Sequence, residues 1–234
     1  SGSGLPGVAM KVLELTENPQ VDVGALKRCI ENDPALTTKI LRVVNSSLFG
    51  LSREVSDLNQ ALALLGSKPL KLLVLGFSLP PGLFEGIEAD VLQRYWSHTL
   101  IKAVAAREIC ETYWNQPGDD AFIGGLLQDV GVLVLIQELG TPYVELLEKI
   151  YDSGWDLAAL EQESLGFDHT ALTARLLGHW GLPDVLVHAV CWKTALQATQ
   201  SIPTSQRTLP QILHLAELIS RLLADGRADV LAEL

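Results

Sequence analysis

Cysteine, methionine and basic residues are scarce in this 234-residue chain, and long apolar runs and strand-like alternation are scarcer still. The three cysteines, Cys29, Cys110 and Cys191, are odd in number and far apart. That excludes a disulfide frame or a cysteine-rich metal knuckle and suits plain core thiols in a reducing compartment. Lys and Arg number 17 against 28 Asp and Glu, so the formal net charge is -11. Nucleic-acid backbones and anionic membrane surfaces both call for clustered Lys and Arg, so neither is an expected partner. No run reaches the roughly 18 apolar residues of a membrane span, and no charged-then-apolar signal peptide opens the chain. A cytoplasmic location is expected. No Gly-rich phosphate loop is present, and no Ser or Cys stands in a nucleophile motif. The single methionine is Met10. Ser1-Gly2-Ser3-Gly4 reads as a cloning remnant, so the chain is expected to be a domain cut from a longer protein.

What is abundant is apolar residues at helical spacing. Hydrophobic residues make up 48% of the chain, enough for a sizeable core. They recur at three and four, punctuated by Gly, Pro and Asp, which predicts an all-α fold. Helices are expected from Pro6 to about Glu17 and, capped by Asp22, to near Asn32. Asp33-Pro34 pairs an N-cap with a Pro at the first helical position, opening a helix that stops near Gly50. The next covers Asp57 to Leu65, stopped by Gly66, and Ser67 starts an almost wholly apolar one. Pro80-Pro81-Gly82 begins a linker to about Ala89, which divides the chain into subdomains 5–82 and 90–234. Asp90 is expected to cap a long helix to about Trp114, and Asp119 a buried helix to Gly140. Further helices start at Thr141, Asp156, Asp168, Pro183 and Leu209.

The stretch from Gly124 to Ile136 is apolar on nearly every face and must be buried by other helices. Only Gln128-Asp129 interrupts it. A buried ionisable group needs a hydrogen-bonding or charged partner, or a metal. A His, a His-Asp pair and a distant carboxylate brought together by three helices would hold Zn, Mn or Fe and activate water for phosphoester hydrolysis. Here the middle of that set is Gln-Asp, and a neutral glutamine amide is a poor ligand. Asp129 is therefore read as a carboxylate that holds helix ends or an imidazole in place. His98 is read as a core or interface histidine satisfied by a carboxylate such as Asp129. His169, just after the cap residue Asp168, is expected to bond a helix end or a neighbouring loop. His179 and His188 look like helix-surface residues. Asn45-Ser46-Ser47 is read as a C-capping group, with a docking surface as the alternative.

Several motifs agree in order and spacing with one family. They are Leu5-Pro6, Glu31-Asn32-Asp33-Pro34-Ala35-Leu36-Thr37, Lys39-Ile40-Leu41-Arg42-Val43-Val44-Asn45-Ser46 and Gln60-Ala61-Leu62 with Leu65-Gly66. Then follow Trp96-Ser97-His98, Gly125-Leu126-Leu127-Gln128-Asp129-Val130-Gly131, Leu165-Gly166-Phe167-Asp168-His169 and Trp180-Gly181-Leu182-Pro183. The chain resembles the HDOD domain, a bacterial signalling module related to the HD-superfamily metal phosphohydrolases. The resemblance implies an N-terminal helical bundle packed on an HD-like helical subdomain. It also implies a regulatory role beside other signalling proteins or fused signalling domains, with cyclic-dinucleotide pathways as one setting. Related HD hydrolases carry His-Asp where this chain has Gln128-Asp129. Those with a second metal, and many HDOD members, carry His-His where it has Lys193-Thr194, and the last Asp of the set aligns with Glu217. On that alignment the metal site is degenerate, no cofactor or metal is expected, and the protein is not expected to be an enzyme. One rival is a residual phosphohydrolase or phosphodiesterase using His98, Asp129 and Glu217, and another is a small-ligand sensor with a pocket between the subdomains. Asp33, Asn45, Ser46, His169 and Trp180 are the positions assigned to structure or interaction.

Overall fold

The computed structural model describes residues 23–45, 54–67, 70, 73–74, 79, 81–153, 156–193, 203 and 206–224. Among them there is no strand, and the chain divides into two compact units, Ser1–Gly82 and Leu83–Leu234. The helix expected over Pro6 to Glu17 lies outside the described residues, as do Ser46, Ser47 and Thr194.

The first unit contains α1 (Val23–Glu31), α2 (Pro34–Val44) and α3 (Leu58–Leu65). Asp33 Oδ1 accepts the Leu36 amide at 3.0 Å, so it caps α2 while Pro34 fills a first-turn position that needs no N–H. Thr37 Oγ1 donates to Ile30 O at 3.0 Å and fastens α2 to the end of α1. Leu36, Ile40 and Val44, four apart, form the buried stripe of α2. Asp57 Oδ1 accepts from the Gln60 amide at 2.9 Å, and Gln60 Oε1 reaches back to accept from the Ser56 amide at 3.1 Å. This reciprocal arrangement is close to a capping box. Gly66, with φ 81, ends α3 in a conformation only glycine adopts readily. Leu70, Leu73 and Val74 beyond it are buried.

Asn45 does something other than cap its own helix. Its Nδ2 donates to Val55 O at 2.8 Å and its Oδ1 accepts from Val55 N at 2.7 Å. The amide thus clasps both backbone groups of a buried residue ten positions on, which would otherwise be left without partners.

The second unit is built on α4 (Ala89–Tyr113), which packs against α5 (Asp119–Leu127) and α11 (Thr208–Ala224). Between them in sequence come α6 (Val130–Leu139), α7 (Thr141–Ser153), α8 (Leu157–Leu165), α9 (His169–His179) and α10 (Asp184–Trp192). Helix α6 packs on α9 and α7, and α10 on α9, α11 and α5. Phe122, Leu126, Leu133, Leu177, Leu186 and Ile212 are fully buried at its core. Asp156 and Asp168 cap α8 and α9 as their spacing predicts, accepting from Ala159 N and Ala171 N. Asp90 is not a cap; it lies in the first turn of α4, where a carboxylate still favours the helix dipole. Residues 83–89 are more than a linker: a 3-10 turn spans Pro81–Phe84 and Leu83 is buried.

The expected single helix from Asp119 to Gly140 is broken in the middle. A turn at Gln128 and Asp129 separates α5 from α6, with Asp129 at φ -121, ψ 17. Residues 119–139 together are long and apolar enough to cross a membrane, contrary to the sequence expectation, but 78% of that window is buried inside the unit. Glycines on either side of the break set how closely its neighbours approach. A Cβ on Gly125 would meet Lys102 O at 2.6 Å and Ala103 Cα at 2.7 Å. One on Gly131 would collide with His169 O and meet Thr173 Oγ1 at 2.8 Å. The Gly131 amide donates to Thr173 Oγ1, which donates in turn to His169 O. The break is therefore pressed against α4 on one side and α9 on the other.

Candidate functional site

Those two contacts bring long side chains to Asp129. Lys102 projects from α4 and places Nζ 2.6 Å from Asp129 Oδ2 and 2.5 Å from Glu217 Oε2 on α11. Lys193, the residue after α10, places Nζ 2.8 Å from Asp129 Oδ1 and 3.8 Å from Glu217 Oε2. Arg221, one turn beyond Glu217, approaches its other oxygen at 3.5 Å. Lys102, Lys193 and Asp129 are buried, and Glu217 is part-buried. Two carboxylates and two ammonium groups thus share one interior site, contributed by α4, the α5–α6 break, the end of α10, and α11.

Ions so placed stay charged only because they hold each other. Burial pushes the Asp129 carboxyl up, but the ammonium groups of Lys102 and Lys193 together outweigh it and hold it well below its ordinary value. Burial likewise works against Lys102, and Asp129 and Glu217 outweigh it and hold the ammonium above its ordinary range. Burial raises the Glu217 carboxyl, yet Lys102, helped by Lys193 and Arg221, brings it down to about 2.

A second polar cluster adjoins this one through His169. Its Nε2 is 3.7 Å from Asp129 Oδ1. On the other side, Glu161 Oε2 accepts from the His169 backbone amide at 2.7 Å and faces its Nδ1 at 2.6 Å. With a carboxylate accepting there, Nδ1 carries the proton. Glu161 Oε1 accepts from the Tyr143 hydroxyl, and burial together with Glu161 pushes that phenol well up.

The expected pairing of His98 with Asp129 is not formed. His98 Nδ1 shares a hydrogen bond of 2.9 Å with Ser220 Oγ on α11, and its ring stacks on Tyr151 at 4.9 Å. Lys102, one turn further along α4, has the reach to take the carboxylate instead. Gln128 is fully buried and turns back on its own helix, with Nε2 3.4 Å from Gly125 O and Oε1 without a hydrogen-bond partner among the described residues. Trp180 is buried at the end of α9. His179 and His188 are exposed, the latter stacked on Trp192. Three members of the two clusters, Lys102, Glu161 and Tyr143, escape a reading made from motifs. Only Lys102 leaves a signal, a lone cation set among Thr99, Ala103 and Ala106 on an otherwise buried face.

These residues do not fit a hydrolytic metal. Both oxygens of Asp129 and Oε2 of Glu217 are already engaged by ammonium groups, and Glu217 Oε1 faces Arg221 at 3.5 Å. A divalent cation between them would meet two like-charged nitrogens, at ~4 kcal/mol per pair of unit charges at about 4 Å in partly screened surroundings. Gln128 offers no imidazole. Among the described residues, no three His, Cys, Asp or Glu side chains form a metal-holding group.

Comparison with known proteins agrees with the sequence motifs. The sequence model of the HDOD domain matches residues 3–196. A curated but uncharacterized protein from Treponema pallidum (strain Nichols) is 24% identical over 187 residues, 80% of this chain. The chain spans 36% of that relative's length. A solved HDOD domain protein of unknown function from Geobacter sulfurreducens superposes with a TM-score of 0.74 at 18% identity, covering 93% of this chain and 72% of that one. A presumptive phosphohydrolase from Shewanella amazonensis SB2B gives a TM-score of 0.72 at 24% identity, covering 96% and 78%. At these identities the structural likeness speaks for the fold alone.

Proposed function

The chain belongs to the HDOD domain family, and from that premise we propose that it is a non-catalytic interaction module of bacterial signal transduction. Its partners are then other signalling proteins or fused signalling domains in the cytoplasm, with cyclic-dinucleotide pathways as one setting. The observation that carries this reading is the pair of lysines. An HD-type phosphohydrolase needs carboxylates free to hold a metal that activates water. Here Lys102 and Lys193 occupy both carboxylates, and Gln128 stands where an imidazole would be required. The surface supports a protein partner over a nucleic acid, because the net charge is -11.

The test is a phosphodiesterase and phosphatase assay on purified protein with added Mn, Fe and Zn, beside Asp129→Ala. No turnover above buffer is expected. Turnover that Asp129→Ala abolishes in a still-folded protein would replace this reading with the residual enzyme.

A further inference from the structure

We propose that the cleft where α4, α5, α10 and α11 meet is a docking site for an arginine side chain presented by a partner protein. The inference rests on the non-catalytic interaction reading and deepens it, because it names the chemistry of the partner. The cleft has a volume of about 470 Å³, within the ~300–1,000 Å³ usual for ligand sites. Its floor is apolar, with Ala121, Ala189 and Ile212 buried there. Asp120, in the first turn of α5, and Asp184, the first residue of α10, stand at its edge. His188 and Trp192, one turn apart on α10, also line it as a stacked pair, with ring centroids 4.9 Å apart.

What the lining lacks is a lysine or arginine. The chain's own cations nearby are turned elsewhere. Lys193, next to Trp192, is drawn inward to Asp129, and Arg107 holds Glu111 at 3.0 Å. Arg207 stands between the lining residues Gln206 and Thr208 without lining the cleft itself. Partial burial and then Asp119 push the Asp120 carboxyl up, and no cation among the described residues brings it down. Helix dipoles favour a carboxylate at each of the two positions, but they do not account for an aromatic pair beside an apolar floor. A guanidinium does. It stacks flat on aromatic faces, pairs with carboxylates through a planar fork, and lays its methylene stem along apolar surface. An ammonium brings the charge without the plane. The net charge of -11 draws a basic partner toward the surface, and arginine is among the residues that anchor protein interfaces.

The probe is a short capped peptide with one central arginine, set beside the same peptide with lysine and with neutral, isosteric citrulline. Binding to the full chain is read by calorimetry and by NMR shifts of the Trp192 indole and the His188 ring. The arginine peptide should shift both resonances saturably, the lysine peptide should bind several-fold more weakly, and the citrulline peptide should not bind. Asp120→Asn and Asp184→Asn should each weaken the arginine peptide about tenfold, the loss of one charge-assisted pair. Glu145→Gln, which removes one exposed negative charge from α7, should leave binding unchanged. Absence of a saturable shift overturns the proposal, as does equal binding of the citrulline peptide. Equal losses in Asp120→Asn and Glu145→Gln would reduce the effect to net charge and overturn it too. Free agmatine binding more tightly than the peptide would overturn the partner protein in favour of a small guanidine. The two readings fail separately: metal-dependent turnover by wild type would sink the non-catalytic function, whereas absent arginine binding sinks only this site.

Discussion

The two buried polar clusters of the second unit touch through His169 and are built on opposite plans. Around Asp129, charge answers charge: two carboxylates face two ammonium groups. Around Glu161, donors answer a charge: one carboxylate accepts from the Tyr143 hydroxyl, the His169 amide and the His169 ring. Both satisfy the rule that a buried ion must be compensated. They differ in what breaks them. The first depends on net charge and is sensitive to neutral isosteres and to acid. The second depends on the number and aim of its donors and should tolerate loss of charge better than loss of an acceptor.

The largest expected effect is in the first cluster. Lys102→Met keeps the stem and removes the charge, leaving Asp129 and Glu217 underpaired. Breaking a buried ion pair from one side costs about 3–5 kcal/mol, read as a drop in urea unfolding free energy. A loss under about 1 kcal/mol would mean that the cluster is no more than a surface-like pair.

Acid should expose the same contrast. The carboxyls of Asp129 and Glu217 are held below their ordinary values in the folded chain, so unfolding takes up protons as pH falls. The Glu217 share is complete above about pH 4.5 and is lost as pH falls toward about 2, while Asp129, held lower still, loses its share in stronger acid. Urea melts across that window should show a steep fall in wild type and a shallower one in Lys102→Met. Equal slopes would remove the lysines as the cause.

Glu161→Gln is the matching change in the second cluster. It keeps one acceptor oxygen but turns a donor toward Tyr143 or His169, so about 1–3 kcal/mol should be lost. A cost equal to that of Lys102→Met would erase the distinction between the clusters. The smallest effect belongs to Gln128, whose buried Oε1 lacks a partner among the described residues. Gln128→Leu removes a polar atom already poorly satisfied and should change stability by less than about 1 kcal/mol, toward gain. A large loss would show that the amide has a task in one of the clusters.

How much of this could be read in advance follows the range of the interactions. The helical periodicity, the Asp caps and the family motifs are local, so the all-α fold and Asp33, Asp156 and Asp168 were legible. Asp129 was legible as a buried carboxylate because apolar residues surround it in sequence. Of its partners, Lys193 was legible only through the family motif, as the residue standing at a metal-ligand position, and Lys102 was not, because it lies 27 residues away and lysine is normally a surface residue. The break in the buried helix was hidden for the same reason: local apolarity favours one helix, and the lysines bonding Asp129 come from elsewhere. Glu161 sits in a polar run, Glu161-Gln162-Glu163, where nothing local marks one carboxylate as buried. Asn45 stood at a helix end, which suggested a cap, while its true partner is Val55.

The most direct measurement is a crystal structure of the wild-type protein soaked in MnCl2, with anomalous scattering collected at the Mn edge. No anomalous peak should lie between Asp129 and Glu217, and Lys102 Nζ should remain bridging both carboxylates. An anomalous peak there, with the lysines displaced from the carboxylates, would contradict the account.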